Sequence, residues 1–211
     1  MTGTGYASDL WCNSISATLN RGCCRYQRGV CMQVVSKVIR LDLNYASEVS
    51  HLYQKRTCYI APYKTELAEH FARRLLAYLS FFEFSPQLSK TEGAGKTPDL
   101  YVSDATDHIK LWCNVDLLSE KHMQRASHQA DQVVLFLDET DQKKIKSQYK
   151  QHFSNVLFHT LSHQQLLDFC SMLKGHMQLD LWREDDKLLI TDGEQTFELA
   201  LAVTPELEFR H

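Results

Sequence analysis

The stretch that decides the fold is PDLYVSDATDHIKLWCNVD, residues 98–116, which holds two apolar runs separated by a polar turn. The alternation predicts a strand over 98–103 and a second strand over 108–115. The DATD segment between them has the composition of a tight turn. The stretch therefore predicts a β-hairpin.

Polar side chains gather at one end of this predicted hairpin. Asp99 opens the first strand, and Asn114 and Asp116 close the second on one face, because side chains two apart in a strand point the same way. Converging oxygen ligands are what Mg²⁺ or Mn²⁺ requires, and such an ion can activate water for phosphodiester hydrolysis. Acids at strand ends are also commonly solvated turn residues, and the spacing alone favours that simpler interpretation.

The rest of the chain alternates between strand and helix periodicity. Further strands are predicted over 35–45, 51–60, 131–137 and 155–159, with up to three in 177–203 around an Asp-Gly turn. Helices are predicted over 64–82 with Thr65 as N-cap, from Ser119 onward, over 141–152 and over 162–174. This order predicts an α/β domain with a mixed central sheet flanked by helices.

Residues 1–31 show no clear periodicity. We interpret them as an atypical extension or a mis-assigned start, with Met32 as the working start and 32–211 as one domain. The segment contains four of the seven cysteines, Cys12, Cys23, Cys24 and Cys31. No pair among them has the CxxC spacing of a zinc site, so the sequence predicts none there. The other three, Cys58, Cys113 and Cys170, are predicted to be small buried thiols.

The composition excludes several classes of protein. The formal charge is -3, so no general positive field attracts nucleic acid, and any such contact must be local. Two basic runs, ARR at 72–74 and KKIKSQYK at 143–150, offer local contacts, although solvated helix faces explain them more simply. The longest apolar stretch, at 75–82, is too short to span a membrane, and no secretory signal is visible. We therefore expect a soluble cytoplasmic protein.

Three runs of the sequence carry a family resemblance. ELAEHFARRLLAYL at 66–79, PDLYV at 98–102 and IKLWCNVDLLSEKHMQRASHQADQVVLF at 109–136 resemble the YaeQ family of bacterial proteins. The resemblance extends from about residue 35 to the C-terminal strands. It implies a fold similar to the PD-(D/E)XK nucleases, the superfamily that includes restriction endonucleases.

In that superfamily a helical Glu, the Asp of the PD element and the acid of a (D/E)xK element bind the metal, and the lysine helps to activate water. Carried over by position, Glu69 matches the helical acid and Asp99 matches the PD element. Asn114 stands where YaeQ-like chains generally have Glu. Asp116 stands where nucleases place the lysine and YaeQ-like chains usually place glycine. The resemblance therefore carries over Glu69 and Asp99 but not the third acid, and the candidate metal ligands are Glu69 and Asp99 with Asn114 or Asp116 in the third place.

The missing lysine has a substitute on the following helix. Lys121 and Arg125 lie near the end of the second strand, and Lys121 is the better candidate to orient a nucleophilic water because arginine does not deprotonate. Asn114 removes one formal charge from the site, which weakens its hold on a hard dication.

Two functions follow from these observations. The chain is either a weak Mg²⁺- or Mn²⁺-dependent phosphodiesterase or nuclease, or a non-catalytic module that binds nucleic acid or a protein through a degraded metal site. Cleavage that depends on Asp99 separates the two.

Overall fold

A computed structural model describes residues 26–27, 30–31, 35, 37–150 and 152–201. The predictions for Cys12, Cys23, Cys24 and Met32 lie outside these residues. Within the N-terminal segment, the backbones of Tyr26–Gln27 and Val30–Cys31 pair as short antiparallel strands, where the sequence showed no clear periodicity.

Strands and helices alternate along the chain as the periodicity predicts. The strands are β1 Tyr26–Gln27, β2 Val30–Cys31, β3 Ile39–Ser47, β4 Leu52–Ile60, β5 Gln87–Leu88, β6 Leu100–Ser103, β7 Ile109–Asn114, β8 Ala130–Asp138, β9 Val156–Leu161, β10 His176–Arg183, β11 Lys187–Thr191 and β12 Thr196–Ala200. The helices are α1 Ala68–Ser80, α2 Glu120–Gln129, α3 Glu139–Gln148 and α4 His163–Met172, and a 3-10 turn, Phe82–Phe84, follows α1. None of the described helices is long and apolar enough to cross a membrane.

The mixed α/β class is confirmed, but the prediction of a single central sheet is wrong. The first sheet has the order β12-β11-β10-β3-β4, and the second has the order β5-β6-β7-β8-β9. The strands divide in this way because β10 returns to pair in parallel with β3, from His176 beside Arg40 to Arg183 beside Ser47. That pairing joins two segments far apart in sequence, which local periodicity does not reveal.

The second sheet contains the predicted hairpin, which is confirmed. Strands β6 and β7 are antiparallel, with Leu100 opposite Cys113, and the backbone N–H of Asp99 donates to the carbonyl of Cys113 at 2.9 Å. Strands β7, β8 and β9 then run parallel and are linked through α2 and α3, as parallel strands require a crossover. The carboxyl end of β7 is thereby fixed beside the start of β6.

Helix α1 connects the two sheets. Its buried residues share one apolar core with side chains of both sheets and of α4. Just after the helix, the ring of Phe82 lies 5.3 Å from that of Tyr45 on β3, and the ring of Phe81 lies 6.1 Å from that of Phe136 on β8. This packing fixes the C-terminal end of α1 between the two sheets.

The predicted N-cap of α1 is wrong. The helix is preceded by Leu67 as the N-cap residue, which makes no capping hydrogen bond, and Thr65 has a left-handed φ of 63°. The carboxylate of Glu66 accepts a hydrogen bond from the backbone N–H of Tyr63 at 2.7 Å, which folds the chain into a turn just before the helix. The helix therefore begins two residues later than a Thr65 cap requires.

A candidate site at the end of the β6–β7 hairpin

The structure brings together three of the predicted site residues. Asp99, Asn114 and Asp116 line one cleft of about 220 Å³, beside Ser119 and His122 at the start of α2. Ser119 caps that helix by accepting a hydrogen bond from the backbone N–H of His122. The hairpin thus supplies two carboxylates and an amide to the cleft, and the start of α2 supplies a hydroxyl and an imidazole.

The carboxylate of Asp99 is buried, with only 4% of its surface exposed, and accepts three hydrogen bonds. Its Oδ1 accepts from the hydroxyl of Tyr63 at 3.2 Å. Its Oδ2 accepts from Nδ2 of Asn114 and from the backbone N–H of Val115, both at 3.0 Å. Buried polar groups require such partners, so this side chain also holds the local structure together.

The amide of Asn114 has a fixed orientation. Its Oδ1 accepts from the indole Nε1 of Trp112 at 2.5 Å, and its Nδ2 donates to Asp99 and, at 3.4 Å, to the carbonyl of Thr97. Because an indole nitrogen only donates, the opposite amide orientation would place two donors against each other. Asn114 therefore turns its donor, not its oxygen, toward Asp99.

Asp116 is paired with two basic side chains of α1. Its carboxylate lies 3.2 Å from Nε2 of His70 and 3.4 Å from Nη2 of Arg73, and about half of the side chain is exposed. Arg73 also donates to the carbonyl of Val115 at 2.7 Å. Burial raises the pKa of Asp116, but the hydrogen bond from His70 and the charges of His70 and Arg73 together outweigh it, and the net shift is downward.

His70 lies between two carboxylates. Its Nδ1 is 2.6 Å from Oε1 of Glu66, and its Nε2 faces Asp116. Burial disfavours the charged imidazole, but the hydrogen bonds to Asp116 and Glu66 prevail and raise the pKa of His70 to about 9. His70 therefore carries a positive charge at neutral pH.

Glu66 and Arg74 form a buried ion pair beneath this histidine. Nη2 of Arg74 lies 2.7 Å from Oε2 of Glu66, and each side chain is 1% exposed. The guanidinium also lies 4.0 Å from the centre of the Tyr63 ring, whose hydroxyl donates to Asp99. The cluster is thus continuous from Glu66 to Asn114, and we call it the hairpin-end network: Tyr63, Glu66, His70, Arg73, Arg74, Asp99, Trp112, Asn114 and Asp116.

The other two predicted site residues lie elsewhere. Glu69 is half-buried on the first turn of α1 and does not line the cleft. Lys121 is exposed on α2 and also does not line it, whereas its neighbour His122 does. Arg125, the other residue considered, donates to Gln129 on the same helix. The helical turn that places Ser119 and His122 at the cleft directs Lys121 away from it, because residues adjacent in a helix do not share a face.

The two basic runs differ in burial. The interpretation of ARR as a solvated face or nucleic-acid contact is wrong, since Arg73 and Arg74 are 8% and 1% exposed and bind within the hairpin-end network. The run at 143–150 includes most of α3, a helix without buried residues, in agreement with a solvated face. Of the thiols predicted to be buried, Cys113 is buried and Cys58 and Cys170 are half-buried.

Sequence reasoning missed most of the hairpin-end network. Glu66, His70 and Arg74 are spaced four apart, so they lie on one face as α1 begins, and this face also carries the buried Phe71 and Leu75. Ionisable residues repeated along the apolar side of an amphipathic helix were the signal that could have identified them. Trp112 and Asn114 are two apart in a strand and so share a face, but this spacing does not show which end of the Asn114 amide meets the indole.

The residues present do not fit a Mg²⁺ or Mn²⁺ ion in this arrangement. Such ions need oxygen lone pairs that are free to point at the metal. Both oxygens of Asp99 accept hydrogen bonds, the Asn114 oxygen faces an indole, and Asp116 is paired with two basic side chains. Among the described residues, no three His, Cys, Asp or Glu side chains are grouped to hold a metal ion.

Comparison with known proteins identifies relatives over most of the chain. A family profile described as YaeQ protein matches residues 32–201. The uncharacterized protein YaeQ of Escherichia coli K12 is 22% identical over 174 residues, which covers 81% of this chain and 96% of that protein. The protein of the same description from Salmonella typhi has the same identity and coverage. These descriptions assign no activity.

Two solved structures share the fold. The YaeQ protein from Pseudomonas syringae superimposes with a TM-score of 0.70 at 18% identity, covering 82% of this chain and 98% of that one. The YaeQ protein from Xanthomonas axonopodis pv. citri gives 0.67 at 19% identity, covering 79% and 96%. At these identities the likeness concerns the fold alone.

Proposed function

The chain belongs to the YaeQ family, and we propose that it is a non-catalytic binding module on a scaffold similar to the PD-(D/E)XK nucleases. The observation that carries this proposal is the orientation of Asn114, whose amide donates to Asp99 while Trp112 holds its oxygen. An acid at position 114 would turn a second negative charge toward Asp99. The amide instead replaces repulsion with a hydrogen bond.

The electrostatic role of an ion is filled by the protein itself. His70, with its pKa raised to about 9, and Arg73 both contact Asp116 and offset its charge. A dication at the cleft would have to compete with these cations and with the donors to Asp99. An ion that displaced a buried donor from its acceptor would leave the donor without a hydrogen bond, which costs about 1–3 kcal/mol for each group. The network therefore favours its own side chains over a metal.

A weak metal-dependent nuclease is the second candidate, because Asp99, Asn114 and Asp116 do line one cleft. In that function Glu69, Asp99 and either Asn114 or Asp116 would bind Mg²⁺ or Mn²⁺, and Lys121 would orient the attacking water. It requires the Asn114 amide and the basic partners of Asp116 to move away from their positions in this structure.

The deciding experiment measures metal binding and cleavage on the full chain. Mn²⁺ is titrated calorimetrically, and single- and double-stranded DNA and RNA are incubated with Mg²⁺ or Mn²⁺. The matched variant is Asp99→Asn, because its amide oxygen can still accept from Asn114 and Val115 while its NH₂ donates to the Tyr63 oxygen.

We expect neither saturable Mn²⁺ binding nor cleavage from the wild type or from Asp99→Asn. Cleavage by the folded wild type that disappears in folded Asp99→Asn would refute the proposal and establish the nuclease. Cleavage that persists equally in Asp99→Asn would point to a contaminating enzyme. The metal titration would then decide between the two functions, since saturable Mn²⁺ binding by the wild type contradicts the proposal.

A further inference from the structure

We propose that the free edge of β4 binds an acidic, extended peptide as an added strand. Strand β4 is nine residues long and is the last strand of the first sheet, with β3 on its only paired side among the described residues. A long unpaired edge is a template for strand addition, in which main-chain hydrogen bonds give affinity and side chains give selectivity.

The backbone groups that face outward can be identified. The N–H of Arg40 donates to the carbonyl of Gly175, so the backbone groups of Arg40 and of every second residue along β3 point toward β10. The backbone groups of the intervening residues of β3 therefore point toward β4. Leu43 is one of these residues, and it lies opposite Arg56, whose backbone groups thus point back toward β3. Along β4 the other set of residues directs its N–H and C=O groups to the free edge: Tyr53, Lys55, Thr57 and Tyr59.

The side chains of the same four residues lie on the solvent face of the sheet. Tyr53 and Tyr59 are 65% and 67% exposed, and they stand near the two ends of the strand. An added strand would place its own side chains directly beside these rings, and aromatic cross-strand pairs stabilise sheets. Trp182, 45% exposed, extends the apolar surface on the Tyr53 side, with Ala46 between the two rings.

The charge of β4 selects an acidic partner. Lys55 and Arg56 occupy the middle of the strand on opposite faces, no acid lies on β4, and neither cation forms a salt bridge with a described carboxylate. Acidic side chains on either face of an added strand would therefore lie on the same face of the sheet as one of these two cations. Complementary charge of this kind sets the choice of partner.

A second copy of this chain fits the edge poorly. Antiparallel pairing of two β4 strands about their centres would bring Arg56 against Arg56, and like charges directly opposite one another destabilise a sheet. Single-stranded nucleic acid fits poorly too. Its phosphates accept hydrogen bonds but do not donate them, so they leave the outward carbonyls unpaired, whereas a peptide backbone satisfies both groups.

This inference deepens the proposed binding role and rests on it, since it names a surface and a partner class. Strand β4 belongs to the first sheet and the hairpin-end network to the second and to α1. The test below contains neither metal nor nuclease substrate. A failure of the β4 proposal is thus distinguishable from a failure of the non-catalytic assignment.

The test uses two fluorescein-labelled decapeptides, one alternating Val and Glu and the other alternating Val and Lys, with the full chain and fluorescence anisotropy. We expect the acidic peptide to bind at least about ten-fold more tightly at low salt, with the preference weakening as salt rises. The double variant Lys55→Glu/Arg56→Glu should reverse the preference. The matched control Lys55→Arg/Arg56→Lys should retain it.

The backbone contribution is tested by Tyr59→Pro against Tyr59→Thr. Both remove the ring, but only proline removes the outward N–H, and an edge position tolerates this substitution. We expect the proline variant to bind the acidic peptide several-fold more weakly than the threonine variant. Should the proline variant fail to fold, hydrogen exchange of the wild type replaces it: the peptide should slow exchange at Tyr53, Lys55, Thr57 and Tyr59.

Three results would overturn the proposal. The first is equal affinity of the chain for the two peptides. The second is an acidic peptide that slows hydrogen exchange elsewhere in the chain but not along β4. The third is tighter binding of an oligothymidine than of the acidic peptide.

Discussion

Replacing Asp99 with alanine should destabilise the protein severely. The carboxylate accepts from the Tyr63 hydroxyl, the Asn114 amide and the Val115 N–H, and all three donors lose this acceptor together. A buried unsatisfied group costs about 1–3 kcal/mol, but Asn114 keeps its bond to Thr97 and the adjacent cleft admits water. We therefore expect a loss of about 3–5 kcal/mol in the free energy of unfolding.

Urea unfolding monitored by circular dichroism measures this loss, and thermal melting should show a decrease of about 10 °C, since roughly 1 kcal/mol shifts Tm by 2–4 °C in a chain of this size. The control is Asp99→Asn, which can keep all three contacts by turning its oxygen toward Asn114 and Val115. It should lose no more than about 2 kcal/mol. The comparison separates the loss of the acceptor from the loss of the charge.

A metal-binding role for Asp99 predicts a different result. Acids held together to bind an ion repel each other when the ion is absent, so removing one should leave the stability unchanged or increase it. The free energies of unfolding of Asp99→Ala and the wild type are compared without metal. A difference below about 0.5 kcal/mol would refute the structural role assigned to this carboxylate.

Three further predictions concern the ionisable groups of the core. Because the pKa of His70 is raised to about 9 in the folded protein, the stability that this residue contributes is complete below about pH 6.5 and is lost as the pH rises through 9. The free energy of unfolding of the wild type should therefore be up to about 3 kcal/mol lower at pH 9.5 than at pH 6. In His70→Gln the difference should be much smaller. Burial lowers the pKa of His159 to about 4, so stability should fall as the pH decreases from 6.5 to 4, and His159→Phe should remove this acid sensitivity in the same urea titrations. Glu66→Gln should cost about 3–5 kcal/mol at pH 7, because it leaves the charge of Arg74 buried without a counter-charge; a loss below 1 kcal/mol would show that the pair contributes little.

The elements with local causes were predictable from the sequence. The hairpin of β6 and β7 follows from two alternating runs around a short turn, and its register alone places Asp99 beside Asn114. The turn at Asp192 and Gly193 between β11 and β12 was predicted in the same way, and Gly193 has the positive φ that such a turn requires.

The composition of the site was much less predictable. Glu66 lies in the turn before α1 and Glu69 lies in the first turn of that helix, and the resemblance selected Glu69, whereas the network contains Glu66. The choice depends on the rotation of α1 about its axis against the hairpin. That rotation is set by core contacts from both sheets, such as those of Phe81 and Phe82, and the spacing of the acids does not reveal it.

The sequence by itself determined the alternation of strands and helices and the hairpin, because each depends only on residues close together in the chain. The resemblance then identified Asn114 as standing in place of an acid. The tertiary structure alone decided the division into two sheets and the meeting of His70 with Asp116. Those features arise from contacts between distant segments. Such contacts depend on how whole elements pack, so a change of one helical turn would produce a different site from the same residues.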